Sequence, residues 1–296
     1  MPLLNKLLKL AQAHEADLNS VVQGFEIGTM RFDGNVSPSV MGVVNLSPDS
    51  WYRESVCLSA EAAIRRGRVL VGLGAHIIDV GAESTLSHAA LLDHSAQSSL
   101  LLPVVKELSQ EGILVSVETY LPQVARTVLA AGARILNLTG TQHSEELFRS
   151  VADHGAGVIL CYVQGPNVRT VTDFNFNRDP VATMYEHFAR QIEAATSAGV
   201  TRLWIDPGLG FYYRNLQDSA ARIRHQSEVF LNSFRLRKLG WPVCHALPHA
   251  FEIFGEEVRC AEAFFAVLAS LGRTDLYRTH EVPKVRAILE TLALIE

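Results

Sequence analysis

Short apolar runs alternate with longer amphipathic stretches along most of the chain. The runs have the length of buried strands, and the stretches between them carry apolar residues at helical spacing. Eight runs fit this description: 40–46, 76–80, 113–117, 134–138, 157–162, 202–205, 242–246 and 275–277. Helices are predicted near 59–72, 90–111, 122–131, 143–154, 180–199, 215–239, 256–271 and 283–294. Alternating strands and helices predict a parallel sheet, and eight units favour an α/β fold of the (β/α)₈ TIM barrel type over an open doubly wound sheet.

The first 38 residues have a different pattern from the repeat that follows. Leucines at positions 3, 4, 7 and 8 recur at helical spacing and predict a helix over residues 3–18. Residues 22–38 hold short apolar runs punctuated by glycines and Pro38, which predicts a hairpin or plug. We therefore expect residues 1–38 to form an N-terminal helix and hairpin extension. It should pack on a single barrel domain at 39–296, with the helix against the barrel bottom.

Composition narrows the class of partner. The chain has 296 residues and a formal net charge of −5, so it lacks the basic field that would hold a nucleic acid or an acidic membrane surface. Its four cysteines are far apart and show neither a disulfide framework nor zinc spacing, which indicates reduced thiols. Lys6 and Lys9 interrupt the apolar N-terminus, and no long uncharged apolar stretch follows. These features predict a cytoplasmic protein that binds a small molecule, with no nucleic acid and no membrane as partner.

Polar side chains follow the predicted strands at the point where each strand ends. In a barrel of this type, the active site forms at the carboxyl ends of the strands. The polar residues found there are Asn45, Asp79, Glu83, Thr85, Glu118, Asn137, Thr139, Gln164, Asp206, His245, His249, Arg278 and His280. Any one of them could instead cap a helix or pair with a surface charge. Together they predict a functional site at the mouth of the barrel.

The eighth predicted strand ends with Arg278 and His280, two positions apart. Alternate residues of a strand point to the same side, so these two side chains are expected to share one face and to bind a phosphate or diphosphate. Asn45, on the first strand of the barrel, lies next to the eighth when the barrel closes and offers an amide oxygen to a hard cation. The alternative is that Arg278 and His280 pair with Glu281 or Asp275 on the rim.

A carboxylate and a tight turn follow the sixth predicted strand, at residues 206–211. Pro207 and two glycines tighten this turn. Asp206 can therefore accept paired hydrogen bonds from the amidine-like edge of a heterocycle, while Phe211 packs nearby. The alternative is that Asp206 only caps its own turn.

At these positions the chain resembles the dihydropteroate synthase family. The resemblance covers nearly everything from Val40 to Leu289, and its motifs occur in the family's order. The matching segments are 41–50 with Asn45, 74–85 with Asp79 and Thr85, 115–120 with Glu118, 132–140 with Asn137, 206–211 and 278–282. Several independent motifs in register are far more specific than any one of them.

The resemblance implies a transferase of folate biosynthesis, which joins a dihydropterin bearing a hydroxymethyl diphosphate to p-aminobenzoate or a related amine. It implies Mg²⁺ as the cofactor, with Asn45 at the metal-binding position and Arg278 and His280 stabilising the departing diphosphate. A homodimer formed through the late helices is implied as well. The substrate-binding residues that it implies are Thr85, Glu118, Asn137, Asp206, Phe211, Arg278 and His280.

Departures from the family pattern fall in the half of the site that binds the pterin and the amine. Leu247–Phe251 stands where the family has Ser-Arg-Lys-Ser, and we expect His249 to replace the missing lysine in part by donating to the pterin ring. Glu118 replaces an aspartate of the family. Leu86 stands in the second loop where the family has an arginine. The absence of this arginine would weaken binding of a carboxylate-bearing amine by about 1–3 kcal/mol, unless Arg53 enters from the first loop.

Two other functions remain open at this stage. A paralogue that binds the pterin ligand with little or no turnover is favoured by the changes around Pro248 and at Leu86. A pterin-dependent methyltransferase of the corrinoid type would share the barrel and its carboxylates. It would have no need of diphosphate donors such as Arg278 and His280.

Overall fold

The computed structural model describes residues 2–50, 52–86, 89–171, 173–175, 178–211, 213 and 218–295. The start of the helix predicted over 215–239 lies outside these ranges, as do Ser87 and His88 at the end of the second loop.

The N-terminal extension begins with two helices instead of one. They are α1 (Leu3–Ala13) and α2 (Glu15–Leu18), separated at His14, whose φ of −130° and ψ of 32° are not helical. The ring of His14 packs edge-on against Phe234, with centroids 6.3 Å apart, and α2 contacts the 3-10 turn Ser233–Leu239. α1 has no buried residue, so the expected packing of the predicted helix against the barrel bottom is wrong for α1.

Strands β1 (Phe25–Ile27) and β2 (Met30–Phe32) pair antiparallel and form the predicted hairpin. Phe25 and Phe32 pack edge-on against Trp204, with ring centroids 4.6 and 5.2 Å away. Trp204 lies near the start of a barrel strand, so the hairpin covers the amino-terminal end of the barrel.

Eight parallel strands follow the hairpin. They are β3 (Ser39–Asn45), β4 (Ile77–Gly81), β5 (Val115–Glu118), β6 (Ile135–Leu138), β7 (Gly157–Cys161), β8 (Leu203–Asp206), β9 (Cys244–Ala246) and β10 (Leu276–Thr279). Neighbours pair in the order β8-β7-β6-β5-β4-β3-β10-β9. The amide of Ile205 donates to the carbonyl of Pro242 at 3.0 Å and joins β8 to the chain entering β9, which closes the ring. The predicted TIM barrel is confirmed, and each predicted run overlaps one strand.

Helices on the outside connect the strands. They are α3 (Ala60–Gly72), α4 (His94–Gln110), α5 (Pro122–Ala130), α6 (Ser144–Asp153), α7 (Pro180–Ser197), α8 (Ser219–Asn232), α9 (Phe251–Phe254), α10 (Ala261–Leu271) and α11 (Val282–Leu292). α4 begins later than predicted because Asp93 caps it, accepting from the amide of Ala96 at 2.8 Å. The helix predicted over 256–271 is divided: the 3-10 turn Gly255–Cys260, with Glu257 at φ −87° and ψ 22°, precedes α10. In the part of the chain that is described, no helix is long and apolar enough to cross a membrane.

Barrel strands alternate between an outer apolar face and an inner face that becomes polar near the mouth. A Cβ at Gly67 of α3 would lie 3.6 Å from Ile78, so Ile78 points outward to the helices. Asp79, the next residue, accepts a hydrogen bond from the hydroxyl of Ser116 at 2.6 Å across β4 and β5. The period of two therefore places charged side chains inside the barrel at its carboxyl end.

Candidate active site

A pocket opens at the carboxyl ends of the barrel strands, with a volume of about 80 Å³. The residues that line it are Asn45, Ser50, Tyr52, Glu83, Ser84, Thr85, Leu86, Glu118, Gly210, Phe211, Ala246, His249, Arg278 and His280. Seven of the nine predicted site residues are among these lining residues. The other two, Asn137 and Asp206, are 3% and 2% exposed and do not line it.

Arg278 reaches from β10 into the barrel and forms two ion pairs. Its Nε donates to Oδ2 of Asp79 at 2.7 Å, and its Nη2 donates to Oε2 of Glu118 at 2.6 Å. Asp79 is fully buried and accepts a further hydrogen bond from Nδ2 of Asn137 at 3.1 Å. Charge-assisted hydrogen bonds therefore fix the guanidinium in place across the barrel.

The rim carboxylates Asp275 and Glu281 bind other arginines. Glu281 accepts from Nε of Arg259 at 2.7 Å, and Asp275 pairs with an arginine of the 3-10 turn before β9. The alternative in which these two carboxylates pair with Arg278 and His280 is therefore wrong.

Burial changes the protonation of two carboxyls near Arg278. Desolvation raises the pKa of Glu118 to about 7, against the attraction of Arg278 and with the repulsion of Asp79. Desolvation likewise raises the pKa of Asp206 to about 6, against the hydrogen bond from the amide of Gly208 and the charge of Arg278. Because one guanidinium faces several carboxyls, these groups titrate together near neutral pH.

Asp206 ends β8 and is held by the turn that follows it. Its Oδ1 accepts from the amide of Gly208 at 2.7 Å, so the turn-capping alternative accounts for one of its two oxygens. Gly208 has a φ of +74°, and a Cβ there would lie 2.5 Å from the carbonyl oxygen of Tyr162. This position therefore requires glycine.

The amide of Asn45 is oriented by the loop after β3. Its Nδ2 donates to Oγ of Ser55 at 2.7 Å, and that hydroxyl donates to the carbonyl of Tyr52 at 2.7 Å. Because the hydroxyl proton of Ser55 is committed to Tyr52, its oxygen must accept from Asn45, and Oδ1 is the amide atom left for the pocket. Mg²⁺ binds oxygen and takes one or two protein ligands where phosphates and waters supply the rest. The residues present therefore fit Mg²⁺ held by Asn45 and an anionic ligand.

Two histidines and a buried glutamate form a compact group at one side of the pocket. Oε1 of Glu262, from α10, lies 2.8 Å from Nδ1 of His280 and 3.1 Å from Nε2 of His249. The two ring nitrogens are 3.2 Å apart. Tyr52 covers both rings, with its centroid 4.7 Å from each. Nε2 of His249 is thus engaged within the group, and its Nδ1 is the nitrogen left for the expected donation to a pterin.

The protonation of this group follows from burial and from its hydrogen bonds. Desolvation lowers the pKa of His280 to about 4, although Glu262 attracts the proton. Burial acts to raise the pKa of Glu262, but the two histidines and their hydrogen bonds outweigh it and hold that pKa well below its usual range. At neutral pH, Glu262 is therefore a carboxylate beside a neutral His280.

Loop contacts decide which cations reach the pocket. Arg53 is exposed and donates to the carbonyl of Pro48 at 2.7 Å, so it does not enter the pocket in place of the missing arginine. Arg169 instead lies behind the second loop, where it donates to the carbonyl of Leu86 at 2.6 Å. Among the described lining residues, Arg278 is the one side chain with a permanent positive charge.

Several residues of the site were not predicted, and one predicted residue faces elsewhere. Glu262 carried a signal, since it is the one charged side chain of the apolar helix α10. Tyr52 and Arg169 lie in loops, where periodicity carries no information. The sequence places Asp79 at a strand end but predicts no role for it. His245 is the predicted residue that faces elsewhere: it is fully buried, and its Nε2 lies 2.7 Å from a serine hydroxyl.

Known proteins share this fold and this arrangement of motifs. The sequence matches a family model described as pterin binding enzyme over residues 41–244. The dihydropteroate synthase of Mycobacterium leprae is 35% identical over 266 residues, which cover 86% of this chain and 92% of that protein. The dihydropteroate synthase of Synechocystis is 31% identical over 222 residues, 73% of each chain.

Solved structures agree with the sequence matches. Dihydropteroate synthase from Thermus thermophilus, in complex with 4-aminobenzoate, superposes with a TM-score of 0.76 at 26% identity, covering 93% of this chain and 100% of that one. The enzyme from Xanthomonas albilineans, in complex with 7,8-dihydropteroate, gives a TM-score of 0.74 at 25% identity, covering 92% and 98%. Fold and site together define a pterin-binding enzyme of the transferase class. The chain belongs to the dihydropteroate synthase family.

Proposed function

We propose that this chain joins a dihydropterin bearing a hydroxymethyl diphosphate to p-aminobenzoate and releases diphosphate. The carbon–oxygen bond to the diphosphate breaks, the amine nitrogen bonds to the pterin methylene carbon, and the amine gives up one proton. One observation carries the proposal: Asn45, Arg278 and His280 line the same pocket as Glu118. An anion site and a heterocycle site thus share one cavity, as a pterin and its own leaving group require.

The pterin end of the substrate binds to the carboxyls of the barrel interior. Its amidine-like edge presents N–H donors, which bind an ionised acceptor more strongly than a protonated one. Arg278 holds Glu118 in position through a 2.6 Å contact, and Asp206 is held by its turn. Phe211 lines the pocket and packs against the ring.

The diphosphate end binds at the opposite side of the pocket. Nε and Nη2 of Arg278 are occupied by carboxylates, which leaves Nη1 to donate to the leaving group, and His280 lines the pocket beside it. Mg²⁺ held by Asn45 supplies, when bound, positive charge that stabilises the leaving diphosphate. In this arrangement Arg278 both positions Glu118 and contacts the anion.

The aryl amine binds against the second loop. Thr85 and Leu86 line the pocket there, and Leu86 is 9% exposed. Leu86 gives the aryl ring an apolar contact but no counter-charge for its carboxylate, and Thr85 offers a hydroxyl. We therefore expect weak selection for p-aminobenzoate over related aryl amines.

Calorimetry with the dihydropterin diphosphate, in the presence and absence of Mg²⁺, tests the binding half of the proposal. Binding that strengthens with Mg²⁺ supports it. Binding of the pterin regardless of diphosphate and Mg²⁺ would instead favour a pterin-dependent methyltransferase. Diphosphate release on addition of p-aminobenzoate then tests the transfer, and its absence with ligand bound would contradict it.

A second function is favoured by one observation in the site. Nε and Nη2 of Arg278 already donate to the carboxylates of Asp79 and Glu118, which offset its positive charge. The described lining residues include no lysine. A site short of cations binds the pterin but stabilises a departing diphosphate poorly. A paralogue with little or no turnover is therefore the alternative, and the release assay separates the two.

We further propose that the protein is a cytoplasmic homodimer formed through its late helices. Phe264 and Leu271, two turns apart on α10, are 48% and 52% exposed and give the outer side of this late helix an apolar surface. All four cysteines are free thiols, as in a reducing compartment. Sedimentation of the wild type and of a Phe264→Glu variant tests the dimer, and a wild-type monomer at micromolar concentration would contradict it.

A further inference from the structure

Three metal-ligating atoms form a nearly equilateral triangle at the edge of the pocket. They are Nε2 of His249, Oε1 of Glu262 and Nδ1 of His280, separated by 3.1, 2.8 and 3.2 Å. Three ligands at tetrahedral angles, each roughly 2.1 Å from one zinc ion, are roughly 3.4 Å apart. The side chains therefore need to move by only a few tenths of an ångström to hold such an ion.

A cation at the centre of this triangle would use all three atoms at once. With Nε2 of His249 and Nδ1 of His280 both protonated, each N–H donates to the carboxylate, and the two nitrogens lie side by side at 3.2 Å. With only one of them protonated, the lone pair of the other faces the carboxylate oxygen, which is unfavourable. A cation instead accepts a lone pair from each of the three atoms.

The second oxygen of Glu262 has its own set of donors. Oε2 accepts from the hydroxyl of Thr279, from the amide of His280 at 2.9 Å and from the amide of Glu281 at 3.2 Å. These contacts turn the carboxylate so that Oε1 faces the two imidazoles. Metal-ligating carboxylates have hydrogen-bonded outer partners of this kind. Glu262 is fully buried, so it is not a solvated surface acid.

We propose that His249, Glu262 and His280 bind one divalent transition-metal ion of the zinc class, with its fourth coordination position open to the pocket. Two imidazoles and a carboxylate are the ligand set of zinc sites that keep an open position. Imidazole nitrogen suits zinc and its neighbours, whereas Mg²⁺ prefers oxygen. The site is therefore chemically distinct from the oxygen site at Asn45. Both histidines line the pocket, so the open position faces a bound ligand.

The role of this ion rests on the proposed function. His249 stands in the segment where the family has a lysine, and a bound cation there restores the missing positive charge. The open position takes an oxygen of the diphosphate. Nε2 of His280, not used for the metal, remains a donor to the same anion.

Binding of Co²⁺ to the metal-free protein tests the site without any substrate. Cobalt in a four-coordinate nitrogen and oxygen site gives visible absorption bands that the hydrated ion lacks. We expect the bands to saturate at one equivalent and to be displaced by Zn²⁺ but not by Mg²⁺. Thr279→Val removes a hydrogen-bond donor to Glu262 and should lower the affinity for Co²⁺ by roughly 10–100-fold. His249→Ala and Glu262→Gln each remove a ligand and should lower that affinity by more.

Two controls bound the interpretation. His154→Gln removes an exposed histidine, and Asn45→Ala removes the proposed magnesium ligand; both should leave the cobalt spectrum unchanged. Circular dichroism establishes that the variants are folded. If Glu262→Gln does not fold, His249→Asn provides the same test, because His249 is less buried than Glu262.

Absence of the bands in the wild type, or their persistence in folded His249→Ala and Glu262→Gln variants, overturns the inference. The result is separable from the proposed function. Diphosphate release without cobalt binding refutes the metal site alone, and cobalt binding without diphosphate release refutes the proposed transfer alone.

Discussion

Replacing Glu118 by glutamine should make the stability of the protein less dependent on pH. Folding raises the pKa of this carboxyl from 4.5 to about 7, chiefly through desolvation. Glu118 therefore stabilises the folded state fully below pH 4.5, and this contribution is lost as the pH rises through about 7. At about 1.4 kcal/mol for each tenfold change in proton affinity, the whole loss amounts to roughly 3–4 kcal/mol. Glutamine resembles the protonated acid and loses nothing over the same range.

Urea unfolding of the wild type and of Glu118→Gln at several values between pH 5 and pH 8 measures this difference. From pH 5 to pH 8, the free energy of unfolding of the variant should rise relative to that of the wild type by roughly 2–3 kcal/mol. Glu145→Gln, a change in an exposed ion pair with Arg149, is the matched control and should show no such trend. A constant difference between Glu118→Gln and the wild type from pH 5 to pH 8 would refute the reasoning.

Three further predictions concern binding and local order. Asn45→Ala should abolish the effect of Mg²⁺ on calorimetric binding of the dihydropterin diphosphate while leaving the affinity for a pterin without diphosphate unchanged; an intact Mg²⁺ effect would rule out the assigned ligand. Asp206→Asn should weaken pterin binding by about 10–100-fold, since it removes a charged acceptor worth roughly 1.5–3 kcal/mol, and an unchanged dissociation constant would contradict that role. Arg169→Gln should accelerate amide hydrogen exchange in the second loop around Leu86, whose carbonyl it holds at 2.6 Å, and equal exchange in both proteins would argue against this support.

The order of strands and helices could be predicted from the sequence, because each element has its own local pattern of apolar residues. Each strand run, and the hairpin over Phe25–Phe32, carries its own apolar signal. The same signal predicted an amphipathic helix over residues 3–18 but contained nothing about what covers it, and Leu4 is 75% exposed. Helix boundaries differed where single residues decide them, as at the cap Asp93 and the irregular Glu257.

The composition of the site was predictable, but its pairing was not. Arg278 and His280 were predicted to line the pocket because they lie at the end of a strand, and both do line it. Their partners lie far away in the sequence: Asp79 is 199 positions from Arg278, and Glu262 reaches His280 from a helix. Likewise, the path of the loops, and not their composition, decides that Arg169 supports the second loop while Arg53 points to solvent.

The two ion pairs that Arg278 forms with Asp79 and Glu118 affect how the chain folds during synthesis. A ribosome exposes Asp79 and Glu118 long before Arg278, which follows them by 199 and 160 positions. Until the last strand emerges, a nascent barrel would bury the Asp79 carboxylate without its counter-ion, and a broken buried ion pair costs about 3–5 kcal/mol. The early strands are therefore expected to stay open until translation is nearly complete.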